Sequence, residues 1–272
     1  MIKYTIIGGS GFIGSELANY LKENKEKIWV PSRNDESIFT KDLGILIYCA
    51  GFGDCVNHPI NVFDANVLYL SKILEKCQFE KLIYLSSTRL YLNQNSSNES
   101  DNLVIFSNDS RRLFNLTKIT AEELCLKSNR KCCIIRPSNV YGNAFTSPLF
   151  LPSITRNAIK DKCVNMYVTE KYEKDYVSVY DVIDAVYQLS ILDSSLPKIV
   201  NIASGINTSA LDIAETLIRE TNCKVNWLNN GNDTETFPVI DISLLKSIIN
   251  YSPRSVLSDL NEMIGKFKTI IK

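Results

Sequence analysis

The stretch that decides the fold stands near the start of the chain, where residues 4–14 read Tyr-Thr-Ile-Ile-Gly-Gly-Ser-Gly-Phe-Ile-Gly. An apolar run of strand length passes directly into Gly8, Gly11 and Gly14 and then into a pattern with helical spacing. Such glycines allow a tight turn, a close approach of the backbone to a bound group, and close packing of helix on strand. Because the free N–H groups at a helix start favour phosphate oxygens, the stretch predicts a βα unit that binds a dinucleotide pyrophosphate.

Short apolar runs then alternate with helical patterns over the first two hundred residues. The runs of strand length, bounded by turn residues, are Tyr4–Ile7, Lys27–Val30, Gly44–Cys49, Lys81–Leu85 and Lys131–Ile135. Helical spacing is found at Phe12–Glu23, Pro59–Cys77, about Ser110–Ser128, Asp181–Leu192 and Ala210–Glu220. This alternation is typical of βαβ units, so we expect a Rossmann-type α/β fold with a doubly wound parallel sheet.

Two irregularities shape the expected domain organisation. The link between Val30 and Gly44 is too short for a full strand and helix, so one βα unit is expected to be trimmed. After Pro137 the pattern loosens, although no linker divides the chain cleanly. We therefore expect a dinucleotide-binding domain of residues 1–141 plus about 176–205. A small, interleaved C-terminal lobe is expected from about 142–175 plus 206–272, and it would bind the substrate.

Composition excludes several classes of protein. The 272 residues carry 30 Lys+Arg and 30 Asp+Glu, so there is no broad basic surface for nucleic acid. No apolar run approaches the roughly 20 residues of a membrane span, and the N-terminus lacks a signal-peptide pattern. The eight cysteines form no CxxC pair and the chain has one histidine, so no metal site is expected. Scattered cysteines indicate reduced thiols and a cytoplasmic protein.

The end of the second predicted strand bears on the choice of dinucleotide. An NAD-binding fold places an acid there for the ribose 2′-hydroxyl, whereas this chain reads Val-Pro-Ser-Arg-Asn-Asp over residues 30–35. Ser32 and Arg33 suit a 2′-phosphate, which an arginine binds through a bidentate, charge-assisted pair. The sequence therefore favours NADP. NAD stays open, with Asp35 in the acidic role and Arg33 as a solvated charge.

Further motifs follow in one order along the chain. They are Cys49-Ala50-Gly51, Leu85-Ser86-Ser87-Thr88-Arg89-Leu90-Tyr91, Lys118-Ile119-Thr120-Ala121-Glu122-Glu123, Arg136-Pro137-Ser138-Asn139-Val140-Tyr141-Gly142 and Asp175-Tyr176-Val177-Ser178-Val179-Tyr180-Asp181. With the glycine loop, they resemble the extended short-chain dehydrogenases/reductases, the NAD(P)-dependent nucleotide-sugar epimerase/dehydratase/reductase family. The resemblance covers nearly the whole chain and implies the fold expected above.

The resemblance also implies a catalytic group with one departure from its pattern. Ser87 matches the catalytic Ser/Thr, and Lys118 matches the lysine of Tyr-x-x-x-Lys that contacts the nicotinamide ribose. The tyrosine that exchanges a proton with the substrate is expected at position 114, where this chain has Phe114. A phenylalanine keeps the ring and removes the proton. Three interpretations of Phe114 stay open. It is an engineered Tyr→Phe change, or it belongs to a natural site in which Ser87 or Tyr91 is the acid, or the chain is a non-catalytic dinucleotide-binding protein.

The resemblance assigns other positions to the two ligands. The residues expected at the cofactor are Gly8, Ser10, Gly11, Phe12, Ile13, Gly14, Ser32, Arg33, Cys49, Ala50, Gly51, Asn66, Leu85, Lys118, Pro137, Asn139 and Val140. The residues expected at the substrate are Ser87, Thr88, Arg89, Asn139 and Lys174. Three residues have a plainer interpretation beside the functional one: Asn66 as a surface helix residue, Tyr91 as a packed aromatic, and Lys174 as a solvated charge instead of a diphosphate contact.

The reaction is expected to be reduction. Arg33 favours NADP, the chain is short for the family, and Arg89-Leu90 stands where dehydratases carry an Asp-Glu pair. We therefore expect an NADP-dependent reductase of a nucleoside-diphosphate-linked 4-keto-(6-deoxy)sugar, in deoxysugar or polysaccharide biosynthesis. A 4-epimerase with tightly bound NAD is the alternative within the family, and an NADP-sensing binding protein the alternative outside it. The resemblance also implies a homodimer formed through the helices near 59–77 and 110–128.

Overall fold

The computed structural model of the chain describes residues 3–192, 196–229 and 235–271. These residues form two compact units. The first extends to Leu90 and takes in Glu99–Pro137 and Ile183–Asn201. The second comprises Tyr91–Asn98, Ser138–Val182 and the chain from Ile202 onward. None of the helices within the described ranges combines the length and the apolar character needed to cross a membrane.

A six-stranded parallel sheet organises the first unit. Its strands are β1 (Lys3–Ile7), β2 (Lys27–Trp29), β3 (Ile45–Tyr48), β4 (Lys81–Leu85), β5 (Cys132–Pro137) and, later in the chain, β9 (Ile199–Ile202). The order across the sheet is β2-β1-β3-β4-β5-β9. The central strands β3 and β4 are buried along their whole length, as expected of a sheet covered on both faces. The predicted doubly wound Rossmann-type α/β fold is confirmed.

Helices fill the connections of this sheet. They are α1 (Phe12–Glu23), α2 (Pro59–Phe63), α3 (Tyr69–Lys76), α4 (Arg112–Lys127) and α6 (Val179–Ser190). Between β2 and β3 there is no α-helix, only a 3₁₀ turn at Glu36–Phe39, so the trimmed unit is confirmed. The helix predicted over Pro59–Cys77 is interrupted by a π turn at Asp64–Leu68. An apolar period of about 3.6 cannot show the extra residue of a π turn, so the sequence predicted one continuous helix.

The second unit has its own strands and core. The strands are β6 (Asn139–Tyr141), β7 (Cys163–Met166), β8 (Glu173–Ser178), β10 (Asn207–Ser209) and β11 (Lys224–Trp227). They form a three-stranded sheet, β10-β8-β6, and a two-stranded sheet, β11-β7. The helices are α5 (Phe150–Lys160), α7 (Ala210–Thr221), α8 (Ser243–Ile248) and α9 (Val256–Ile270). The apolar faces of α5, α7 and α9 pack together in this core.

The start of α7 shows how a local signal fixes a boundary. The Ser209 hydroxyl accepts a hydrogen bond from the Asp212 backbone N–H at 3.0 Å. The Asp212 carboxylate in turn accepts from the Ser209 backbone N–H at 3.3 Å. This reciprocal capping box satisfies N–H groups that have no partner within the helix. The predicted start at Ala210 therefore agrees with the structure, and the helix ends at Thr221, before Asn222 in a left-handed conformation.

Candidate active site

The glycine loop lies at the point where the order of the sheet reverses. From β1 the chain leads to β2 on one side, while β3 lies on the other, and ligands of such folds bind outside the carboxyl ends of these strands. Gly8 has a φ of +82°, and a Cβ on it would lie 2.5 Å from the backbone nitrogen of Ala50. The loops after β1 and β3 therefore approach each other more closely than any side chain at Gly8 would allow.

The same loop exposes backbone at the start of α1. Gly11 precedes the helix in an extended conformation and, with Ser10, is exposed to solvent. Gly14 is buried, and a Cβ on it would lie 2.8 Å from the Cα of Gly9. No side chain caps the N–H groups at the start of this 12-residue helix, and the Gly11 N–H donates to the Gly8 oxygen at 3.0 Å. This arrangement fits the pyrophosphate of a nicotinamide dinucleotide, which needs a side-chain-free approach to a helix N-terminus.

The segment after β2 separates the roles of Arg33 and Asp35. Ser32 and Arg33 are exposed. The Asp35 Oδ1 atom accepts hydrogen bonds from the Ser37 hydroxyl at 2.6 Å and the Ser37 backbone N–H at 3.0 Å. These two bonds hold the pKa of the Asp35 carboxyl below its usual value. Asp35 thus begins the 3₁₀ turn, and one of its two oxygens is committed to that task.

Lys118 is held by its surroundings in the first unit. Its side chain lies in α4 and is only 5% exposed. The Nζ atom donates to the backbone oxygen of Leu85 at 2.8 Å and to the Tyr84 hydroxyl at 3.2 Å. A Cβ on Gly51 would lie 3.6 Å from the same nitrogen. Burial lowers the pKa of Lys118 to about 8, an effect that the charge of Glu122 partly opposes.

Phe114 lies one helical turn before Lys118 and is half-buried. The centre of its ring is 5.8 Å from Lys118 Nζ and 4.6 Å from the guanidinium carbon of Arg111. Two cations thus flank the ring on which the resemblance expects a phenol. A phenol hydroxyl there would have a lowered pKa, because nearby positive charge stabilises its ionised form.

Asn66 connects α4 to the loop after β3. The side chain is fully buried and lies in the π turn. Its Oδ1 atom accepts from the Phe52 backbone N–H at 3.1 Å, and its Nδ2 atom donates to the Phe52 oxygen at 3.2 Å. The Nδ2 atom also donates to the Thr117 hydroxyl at 3.0 Å. A bracing role therefore fits these contacts, whereas the alternative of a surface helix residue does not.

A buried polar network joins α4 to the ends of β4 and β5. The sequence motifs did not predict it. Arg136, at the end of β5, donates to both carboxylate oxygens of Glu122, at 3.0 and 2.6 Å. The Ser86 hydroxyl also bonds to Glu122. Both side chains of the ion pair are almost fully buried, at 3% and 4% exposure. Glu122 and Arg136 stood within the quoted motifs, but no spacing rule pairs residues of different elements.

Ser87, Thr88 and Arg89 follow β4 in the chain. Ser87 is half-buried, and its hydroxyl accepts from the Arg89 backbone N–H at 3.1 Å. Thr88 and Arg89 are buried. The Arg89 guanidinium pairs with the Asp109 carboxylate at 2.7 Å, and Asp109 also accepts from the Arg111 backbone N–H. Arg89 therefore ties the Ser87 segment to the residues before α4, while Ser87 keeps an accessible side chain.

Among the predicted ligand-binding positions, Asn139, Val140 and Lys174 lie in the second unit. Asn139 is exposed, and its amide donates to the backbone oxygen of Asp175 at 2.8 Å. Asp175 itself is buried and accepts from the Ser138 and Ser204 hydroxyls and from the backbone N–H groups of residues 204–206. Asp175 thereby positions the strand that carries Asn139. Asp175 is the first residue of one of the sequence motifs, but the motif did not predict this positioning role.

Three further positions have clear surroundings. Tyr91 has no solvent exposure, as the packed-aromatic interpretation expects. His58 precedes α2, and its ring packs edge-on against Phe52 with centres 5.8 Å apart. Lys174 is not a solvated charge, because its ammonium lies 3.5 Å from the Glu235 carboxylate and over two aromatic rings.

Comparison with known proteins finds relatives in sequence and a matching fold. Two curated relatives are dTDP-D-glucose 4,6-dehydratase of Dictyostelium discoideum, 26% identical, and UDP-glucose 4-epimerase of Mycoplasma genitalium, 25% identical. The first match covers 79% of this chain but only 61% of the relative, and the second covers 78% and 79%. The solved structure of MoeE5 in complex with UDP-glucose and NAD matches with a TM-score of 0.87 over 99% of this chain and 100% of that one. At 17% identity, this last match shows the fold alone.

One comparison establishes the family. The model of the NAD dependent epimerase/dehydratase family matches residues 4–203, well over half of the chain. The matched range includes the glycine loop, Ser87, Lys118 and Asn139. The chain therefore belongs to the NAD-dependent epimerase/dehydratase family.

Proposed function

We propose that this protein is an NADP-dependent reductase of a nucleoside-diphosphate-linked 4-keto-6-deoxysugar. The observation that carries the proposal is the arrangement of Lys118. Its buried ammonium is fixed on the Leu85 oxygen, two residues before Ser87, and beside the backbone of Gly51. A buried, hydrogen-bonded lysine at the carboxyl ends of the central strands suits ribose hydroxyls of a nicotinamide cofactor.

The chain's residues divide the work as follows. The N–H groups of Phe12 and Ile13, in the first turn of α1, bind the pyrophosphate of the dinucleotide, and Lys118 orients its nicotinamide ribose. A bound nicotinamide supplies the hydride that reduces the sugar ketone. The Ser87 hydroxyl donates a hydrogen bond to the ketone oxygen and holds it in place. Position 114 is where the proton for the new alcohol would be held, so Phe114 leaves the chain slow at this step.

The preference for NADP rests on the segment after β2. Arg33 is exposed at the position where a 2′-phosphate would lie, and its guanidinium can bind phosphate through two parallel hydrogen bonds. Asp35 commits one carboxylate oxygen to Ser37, which leaves it less suited to the two hydroxyls of an NAD ribose. NAD remains the alternative cofactor, and the MoeE5 structure contains NAD.

The substrate class follows from the relatives and from the second unit. The relatives are named for dTDP-glucose and UDP-glucose, and MoeE5 is solved with UDP-glucose. In this chain Asn139 is exposed at the start of β6, and Lys174 on β8 offers a cation to the diphosphate. We assign these two residues, with Ser87 and its neighbour Thr88, to the nucleotide sugar.

A 4-epimerase with tightly bound NAD is the second candidate. The observation in its favour is the Mycoplasma genitalium relative, a UDP-glucose 4-epimerase matched over 79% of its length. An epimerase takes the hydride from the sugar and returns it, so the dinucleotide stays bound between turnovers. A dehydratase is disfavoured, because Arg89 is committed to Asp109 at the position where an acidic pair would act.

A homodimer is part of the proposal. Apolar side chains are exposed on α2 and α4, two helices that contact each other in the first unit. Ile60 is 70% exposed, Phe63 46% and Leu116 45%. Exposed apolar residues on adjacent helices are typical of a surface that a second copy covers. Light scattering should give twice the chain mass, and Phe63→Glu should give the mass of one chain.

One assay separates the candidates. The protein and Phe114→Tyr are incubated with a panel of nucleotide-linked 4-keto-6-deoxysugars, and NADPH and NADH consumption is followed at 340 nm. A reductase consumes NADPH in preference, and faster with tyrosine. An epimerase retains NAD through purification and converts UDP-glucose without net consumption. Dinucleotide binding with no turnover in either form would contradict both and favour a binding protein.

A further inference from the structure

A compact cluster surrounds Lys174 in the second unit. The Lys174 ammonium lies 4.9 Å from the centre of the Tyr172 ring and 4.7 Å from that of Phe237. Its charge is balanced by the Glu235 carboxylate at 3.5 Å, which also accepts a hydrogen bond from the Tyr172 hydroxyl at 3.1 Å. We call these four residues the Lys174 cluster. The ammonium therefore lies beside two aromatic faces and the Glu235 carboxylate.

The position of Glu235 is built into the fold. The next residue, Thr236, donates its backbone N–H and its hydroxyl to the Asn93 side chain, and its oxygen accepts from the Asn93 N–H at 2.8 Å. The oxygen of Phe237 accepts from the Asn207 amide at 3.1 Å. Backbone on the C-terminal side of Glu235 is thus tied to two other segments of the unit. This framework fixes the backbone from which the Glu235 side chain reaches Lys174.

The Glu235 carboxylate pairs with the same Lys174 ammonium that an anionic ligand would contact. A lysine attracts phosphate as a point charge, and a carboxylate at 3.5 Å offsets part of that charge. A diphosphate that approaches Lys174 also meets the negative charge of Glu235 directly. Either the carboxylate moves away from Lys174 or the diphosphate binds there weakly.

The structure leaves the carboxylate able to move. The Glu235 side chain is 31% exposed, so it gains hydration when it leaves the ammonium. Lys174 keeps the two aromatic faces, which attract a cation without a counter-ion. The Glu122–Arg136 pair of the first unit differs, because both of its side chains are buried and neither can reach water. A ligand anion can therefore displace the Glu235 carboxylate from Lys174.

We propose that Glu235 is an internal competitor for the diphosphate of the ligand, and that it weakens binding of the nucleotide sugar and speeds release of the product. This inference rests on the proposed function, since it needs a nucleoside diphosphate at Lys174. It adds a residue that sets the affinity of that site. Glu235 forms the ion pair with the Lys174 ammonium when the site is empty, and the diphosphate replaces it when the ligand binds. Tyr172 holds the carboxylate ready through its hydroxyl.

The test is calorimetric titration of the full chain with UDP, dTDP and GDP. Glu235→Gln keeps the shape and removes the charge, so the affinity for the diphosphate that binds should rise about three- to tenfold. Lys174→Met should weaken it. The matched control is Glu173→Gln, which removes an exposed acid from the adjacent position of β8 and should leave the affinity unchanged. NADPH affinity should not change in any variant.

The outcomes separate the inference from the proposed function. Equal or weaker diphosphate binding by Glu235→Gln, with the unsubstituted protein binding normally, overturns the competitor role and leaves the substrate class intact. An equal gain in Glu173→Gln also overturns it, because the effect would then be one of overall charge. If the protein and all variants bind none of the three diphosphates, the substrate class fails and the competitor role fails with it.

Discussion

The Lys118 ammonium lies 5.8 Å from the centre of the Phe114 ring, on the helix that carries both residues. A phenol in this position would have a cation within reach, which lowers its pKa toward neutrality. Phe114→Tyr should therefore raise turnover of the keto sugar by about 10²–10⁴-fold, the range for a general acid. Steady-state rates with NADPH measure this. Phe63→Tyr, on an exposed aromatic of α2, should leave the rate unchanged. Equal rates for Phe114→Tyr and the unsubstituted protein would exclude position 114 as the proton donor.

The lowered pKa of Lys118 predicts a pH dependence of stability. Its pKa is about 8 in the folded chain, whereas an exposed lysine of the unfolded chain has the ordinary value of 10.5. Between these values the unfolded chain holds a proton that the native chain lacks, so stability rises with pH across this window. Lys118→Met should abolish that rise. Urea unfolding at several pH values between 7 and 10.5 measures the difference between the two proteins. Parallel curves would contradict the assignment.

Removal of the Asn66 brace should affect both stability and cofactor binding. Asn66→Leu removes three hydrogen bonds and leaves the Phe52 N–H and oxygen without their partner. We expect a loss of about 1–3 kcal/mol in the free energy of unfolding, together with weaker dinucleotide binding. Asn61→Leu, on the exposed face of α2, is the control and should cost little. Denaturant unfolding and a fluorescence titration with NADPH give the two values.

Removal of one charge of the Glu122–Arg136 pair should lower the free energy of unfolding strongly. Glu122→Gln leaves a buried guanidinium without its counter-charge, and such losses amount to about 3–5 kcal/mol. The double variant Glu122→Leu with Arg136→Met removes both charges and should recover most of this stability. Chemical denaturation gives the comparison, with exposed Glu123→Gln as control. A double variant as unstable as Glu122→Gln would show that the cost is not one of unpaired charge.

Arg33 should decide between the two dinucleotides. Arg33→Gln removes the cation expected at the 2′-phosphate, so the affinity for NADPH should fall about tenfold to a hundredfold while that for NADH stays constant. Titration of both dinucleotides measures the ratio. Lys41→Gln is the control, because Lys41 also lies in the segment after β2 but sits over the Trp29 ring. If both affinities stayed constant, Asp35 and NAD would be favoured.

Local patterns determined the architecture of this protein from its sequence. Alternating strand and helix runs predicted the parallel sheet, and the short link after Val30 predicted the trimmed βα unit. Gly8, Gly11 and Gly14 predicted the tight turn between β1 and α1, where a side chain at Gly8 or Gly14 would clash with neighbouring backbone. The family resemblance implied the role of Lys118 and the missing phenol at Phe114, through the spacing of the Tyr-x-x-x-Lys motif along one helix.

Only the tertiary structure decided which side chains meet across elements. Asn66 acts as a brace because a π turn directs it at Phe52 and Thr117, and periodicity cannot show such a turn. Arg89 pairs with Asp109, and Lys174 with Glu235, over 20 and 61 residues of chain. Charged side chains pair according to distance and burial in three dimensions. A sequence lists the charges, whereas the fold determines which of them neutralise each other.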